Sequence, residues 1–122
     1  MDLHINIELQ VGLLLVTASG TVAFDGALRL LKQVFDTAAE KQVNTILVNG
    51  LALDGEFSTL ERYSLGVEVA AYLKQRQMNI RIAFVGKPPT VDGFGVRVAQ
   101  NRGVTVNVFS SQQAALNWLT NG

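Results

Sequence analysis

The sequence predicts an α/β domain with a mixed, mostly parallel five-stranded sheet, an N-terminal antiparallel hairpin and four helices. Three observations predict it. Strand-like apolar runs alternate with helical patterns from Leu13 to the end, which implies parallel strands joined by right-handed crossovers. The first two runs are joined by only a few residues, too few for a crossover, so they form a hairpin. An Asp-Gly pair, at Asp25, Asp54 and Asp92, stands between a strand and the next helix three times. A chain of 122 residues fits one domain, 1–122.

The elements follow in order. His4, Asn6 and Glu8 alternate with Ile5, Ile7 and Leu9, the period of a half-buried strand. Gln10-Val11-Gly12 is the turn. Leu13 to Ala18 is nearly all apolar and reads as a strand buried on both faces. Asp25 is placed to cap the first helix. Leu28, Leu31, Val34, Phe35 and Ala38 make that helix's inner side, and Arg29, Lys32, Gln33, Asp36 and Glu40 its outer side. Val43 to Val48 is the third strand, and a loop from Gly50 to Phe57 follows it. Ser58-Thr59-Leu60-Glu61 fits a capping box opening a helix from Thr59 to about Gln75. Ile80 to Val85 is the fourth strand, stopped by Pro88-Pro89. Asp92-Gly93 opens a short helix with Phe94 and Val98 on one face, and Gly103 ends it. Val104 to Phe109 is the last strand. Ser110 and Gln113 suggest a capping box for a final helix with Ala115, Trp118 and Leu119 inside.

Composition narrows the function. Ten basic and ten acidic residues balance, so no basic footprint for nucleic acid exists. No cysteine is present and His4 is the one histidine, which argues against a metal site. His4 lies on the polar face of a strand and reads as a surface residue. Gly93-Phe94-Gly95 lacks the third glycine of a dinucleotide fingerprint, and Gly86-Lys87 lacks the rest of a P-loop. No catalytic residue and no cofactor are assigned. The amino terminus, Met1-Asp2-Leu3-His4, shows no leader pattern, and no apolar run reaches the roughly 20 residues of a membrane span. A cytoplasmic protein without membrane insertion is expected. Hydrophobic content of 48% against 16% charged is rich for a small domain and points to an apolar contact surface.

Function is sought at the carboxyl ends of the parallel strands, where open sheets meet their ligands. The loop candidates there are Asp25, Asp54, Glu56, Phe57, Asp92, Phe94 and Arg97. Turn and cap chemistry accounts for the three Asp-Gly pairs; the sharper alternative is a polar rim around a cleft. Arg97 and Arg102 read as solvated charges, with an anion at the cleft as the alternative. The helix from Thr59 carries two apolar stripes. Leu60, Tyr63, Val67 and Ala71 form one, and Leu65, Val69 and Tyr72 the other. The second is expected outside, as an interface with another protein, most simply a second copy across a two-fold axis.

Three stretches carry a family resemblance. Ile46-Leu47-Val48-Asn49-Gly50 into Ser58 resembles the third strand and phosphorylation loop of the STAS domain, the fold of the sporulation anti-sigma-factor antagonist. Phe94 to Gly103 is similar to a stretch common in its STAS-like, or SpoIIAA-like, bacterial branch. Val106 to Phe109 with Ala115 to Leu119 resembles that branch's ending. In the antagonists the phosphorylated serine directly follows an aspartate, whereas Gly55-Glu56-Phe57 separates Asp54 from Ser58 here. The resemblance implies a non-enzymatic regulatory domain that binds another protein, with Ser58 and Thr59 as phosphorylation candidates. The alternative is a carrier of a small apolar or anionic ligand, for which a deep cavity lined by Phe57, Phe94 and the strand ends would speak.

Overall fold

The computed structural model describes residues 3–121; Met1-Asp2, read above for a leader, lies outside them. The elements run β1 (His4–Gln10), β2 (Leu13–Thr21), α1 (Phe24–Lys41), β3 (Thr45–Asp54), α2 (Thr59–Gln75), β4 (Arg81–Val85), α3 (Phe94–Asn101), β5 (Thr105–Phe109) and α4 (Gln112–Asn121). The sheet order is β1-β2-β3-β4-β5. β1 pairs antiparallel with β2, and the remaining pairs are parallel. The expected architecture is the observed one.

Alternation along the strands divides the core. Leu14, Val16, Ala18, Ile46, Val48, Ile82 and Val106 share a buried cluster with residues of α1, α2 and α3. Leu47, Ala83 and Val85 share a smaller one with Ala115 of α4. β2 departs from expectation, because it is buried on one face only. Thr17 is exposed and Leu13 and Leu15 are half-buried, since α4 packs on β3, β4 and β5.

β3 also differs. It starts at Thr45 rather than Val43 and continues past Val48 to Asp54. The pairing with β2 slips between Thr17 and Ser19, so Asn49 and Ala52 become their partners. At this bulge Asn49 Oδ1 accepts the Leu51 N–H at 3.0 Å. Asn49 Nδ2 in turn donates to Gln112 Oε1 of α4 at 2.8 Å. A polar Asn-Gly pair that reads as a strand end is here the device that carries the strand past an irregularity.

Two helix starts are shifted. Ala23, not Asp25, occupies the N-cap of α1, with no side-chain cap bond. Asp25 sits in the first turn, where its charge still complements the helix dipole. In α4 the serine that caps is Ser111, whose Oγ accepts the Ala114 N–H at 3.2 Å. That phase begins the helix at Gln112 and aims Gln112 at Asn49.

α1 and α2 are tied at their solvent side. Asp36 accepts from both the Tyr72 phenol and Arg76, and Arg76 donates to the Tyr72 oxygen at 2.9 Å. Lys32 lies 5.4 Å from the Tyr72 ring centre. The hydrogen bond to Asp36, and then burial, hold the phenol above its usual 10.0, against the opposing pull of Arg76. A raised folded value means that the linked stability is fully present below about pH 10, the unfolded value, and is lost as pH rises from there through the higher folded value. Unfolding at increasing alkalinity should show this loss in the parent protein and a flatter profile in Tyr72→Phe.

Candidate functional site

β2, β3 and β4 all end at one edge of the sheet, and the connections that leave them are laced together. The Val22 N–H donates to the Asp54 carbonyl at 2.8 Å. Thr90 Oγ1 donates to the Gly55 carbonyl at 2.7 Å. Gly55 has φ +141, and a Cβ there would lie 2.3 Å from the Val22 carbonyl oxygen. Only glycine serves at that point.

The start of α2 follows the expected capping box. Ser58 Oγ accepts the Glu61 N–H at 3.1 Å, and Glu61 Oε1 accepts the Ser58 N–H at 2.9 Å. Ser58→Ala should therefore lower stability by about 1 kcal/mol in chemical denaturation. Ser58 and Thr59 are both exposed.

Arg62, one turn into α2, is the hub of the edge. Its Nε donates to the Phe57 carbonyl at 3.1 Å and its Nη2 to the Pro89 carbonyl at 2.7 Å. Its Nη1 pairs with Asp92 Oδ1 at 3.0 Å. The same Asp92 oxygen accepts the Phe94 N–H at 3.1 Å, fixing the start of α3. The Phe57 ring centre lies 5.9 Å from the guanidinium. One side chain thus binds the β3–α2 loop and the β4–α3 loop to α2.

Behind this hub is a cavity of about 150 Å³. Ala27, Leu30 and Leu31 of α1 line it, with Ala18, Val48 and Phe84 from the sheet, Leu65 and Val69 of α2, and Val96 and Ala99 of α3. The polar side chains at its wall are Arg62, Thr90 and Asp92. α2 and α3 close it by crossing tightly: a Cβ on Gly66 would lie 2.6 Å from the Gly95 carbonyl oxygen and 2.7 Å from Val98 Cβ.

Of the loop candidates, the structure brings Phe57 and Asp92 to the cavity and leaves the others off it. Phe94 is half-buried at the start of α3 but is not among the lining residues. Asp25, Asp54, Glu56 and Arg97 are exposed. The three Asp-Gly pairs do share one edge, yet only Asp92 contributes a carboxylate to the cavity wall. Arg102, the other arginine weighed as an anion site, donates to the Tyr63 hydroxyl at 3.2 Å.

The expected interface stripe is inverted. Val69 is buried, Leu65 lines the cavity and Tyr72 belongs to the α1–α2 tie. The outer stripe is the other one, with Leu60 72% and Tyr63 43% exposed. The cause is Gly66. Its bare backbone admits α3, so the side of α2 centred on Gly66, Val69, Ala70 and Leu73 turns inward. A glycine inside a helix is unfavourable by about 1 kcal/mol relative to alanine unless close approach needs it, and that was the available signal. Arg62, Thr90 and Val91 were not singled out from sequence. For Arg62 the hint was a cation near a helix N-terminus, where the dipole disfavours it unless a partner is at hand.

Among the described residues no group of three or more His, Asp or Glu side chains could hold a metal ion, and no helix is long and apolar enough to cross a membrane.

The sequence matches no family model and no curated protein. Solved structures do match. An anti-sigma factor antagonist from Mycobacterium paratuberculosis superposes with TM-score 0.66 at 12% identity, covering 98% of this chain and 95% of that one. SpoIIAA, an anti-sigma factor antagonist in its unphosphorylated form, gives 0.56 at 15% identity, over 98% and 100% of the two chains. A protein of the DUF3478 family with a SpoIIAA-like fold, from Shewanella loihica PV-4, gives 0.53 at 20% identity, over 96% and 93%. The chain has the STAS, or SpoIIAA-like, fold.

Proposed function

We propose that this chain, built on the SpoIIAA-like fold, is a non-enzymatic regulatory domain of the cytoplasm that binds another protein through the outer face of α2. The observation that carries the reading is the exposure of Leu60 and Tyr63 directly after Ser58. Single exposed apolar residues are ordinary. These two lie three apart on one stripe, continued by half-buried Val67 and exposed Ala71, on a helix whose opposite side already fills the core. Two similar structures are anti-sigma factor antagonists, which supports the class. The simplest partner is a second copy across a two-fold axis. Phosphorylation of Ser58 or Thr59 would regulate the contact. A phosphate on Ser58 gains from the helix dipole but repels Glu61, whose carboxylate holds the Ser58 N–H.

Sedimentation of the parent and of a Leu60→Glu, Tyr63→Glu double variant tests the contact. Association in the parent and monomers in the variant are expected. A parent that stays monomeric at high concentration removes the second copy. Partner capture that survives the double substitution removes the stripe. Phosphopeptide mapping of protein from its own cells tests Ser58 and Thr59.

A second reading, a carrier of a small ligand, is favoured by the cavity behind Arg62, whose wall is apolar apart from three side chains.

A further inference from the structure

Arg62 stands where the cavity ceases to be apolar. Its side chain is 12% exposed and that of Asp92 38%, so the pair lies at the solvent end of the void. The void of about 150 Å³ has the size of one that stays dry and accepts a single aromatic ring. Two of the guanidinium nitrogens are held by neutral carbonyls, those of Phe57 and Pro89. These fix its plane without balancing its charge. Among the described residues the charge is met by Asp92 alone, and Asp92 divides one oxygen between Arg62 Nη1 and the Phe94 N–H. Asp92 can release Nη1 and still hold Phe94, while the two carbonyls keep the guanidinium in position for another carboxylate.

Resting on the carrier reading, we propose that the cavity takes a small amphiphilic carboxylate. Its ring or short branched chain enters the apolar void between α1 and α2, and its carboxylate replaces that of Asp92 on Arg62 Nη1. A neutral apolar molecule of the same size fills the same void but gains nothing from Arg62.

The probes are phenylacetate and toluene, titrated into the full chain and followed by NMR of the methyl groups of Leu65 and Val69. Phenylacetate is expected to bind the parent protein more tightly than toluene. Asp92→Asn keeps an acceptor for the Phe94 N–H and removes the competing charge. It should tighten phenylacetate about tenfold and leave toluene unchanged. Arg62→Gln should lose phenylacetate and keep toluene. Ala27→Phe, or Ala99→Leu as the alternate filling variant, should lose both. Toluene binding with no preference for the acid, or no gain in Asp92→Asn, overturns this inference and leaves the carrier reading standing. Failure of both probes in the parent overturns both. Phenylacetate binding that survives the filling variants places the acid outside the cavity and overturns the inference as well.

Discussion

Replacing Phe35 with alanine is expected to lower stability by about 3–5 kcal/mol. Phe35 is fully buried on the inner face of α1. It belongs to the main core cluster together with strand residues of the sheet and with Val69 and Leu73 of α2. The Tyr72 ring, 6.3 Å away and tilted by 30°, is its aromatic neighbour. Truncation removes the ring's transfer free energy and leaves a void that the helices and sheet around it close only in part. Domains of this kind have a net stability of about 5–15 kcal/mol, so the loss is a large share of the total. Urea denaturation checks it. A loss under about 1 kcal/mol would mean that α1 settles into the void.

Gly66→Ala should also destabilise, and its sign is the informative part. In an exposed helix the same change gains about 1 kcal/mol. Here the new methyl group meets the Gly95 carbonyl oxygen, which is backbone and cannot rotate away. Gly95 has the reciprocal constraint, because a Cβ there would lie 3.0 Å from the Arg62 carbonyl oxygen. The two helices must separate, at a net loss of about 1–3 kcal/mol. Since Leu65, Val69, Val96 and Ala99 belong to those helices and line the cavity, the variant should change the cavity as well as the melting point. Thermal unfolding gives the first result and ligand titration the second.

These two residues show what was legible in the sequence. Phe35 was assigned to the core because α1 is apolar along a single stripe, and a single stripe leaves one possible inside. α2 is apolar on two sides, so periodicity gives the helix its limits, Thr59 to Gln75, but not its orientation. Orientation came from a contact between residues about thirty apart in the chain, Gly66 with Gly95 and Val98, which no local pattern encodes. The capping box at Ser58 was legible because all its partners lie within four residues. The Arg62 hub was not, since Pro89 and Asp92 reach it only after β4 has been laid beside β3. The ends of β3 were misjudged for a similar reason: Asn49 looks like a terminus until Gln112 of α4 is there to hold it.

The strand order β1-β2-β3-β4-β5 also sets a timetable for synthesis. Each strand leaves the ribosome with its sheet neighbour already made, so pairing can proceed from the amino end without waiting for distant sequence. The face beneath α4 has no such advantage. About 60 residues separate the end of β3 from the start of α4, roughly 3–12 s at about 5–20 residues per second. For that interval Leu47, and later Ala83 and Val85, have no helix over them. The nascent chain is then a half-covered sheet, and its bare side is where a chaperone would take hold. A chain truncated before Gln112 should remain a chaperone client after its release from the ribosome, and the full chain should not.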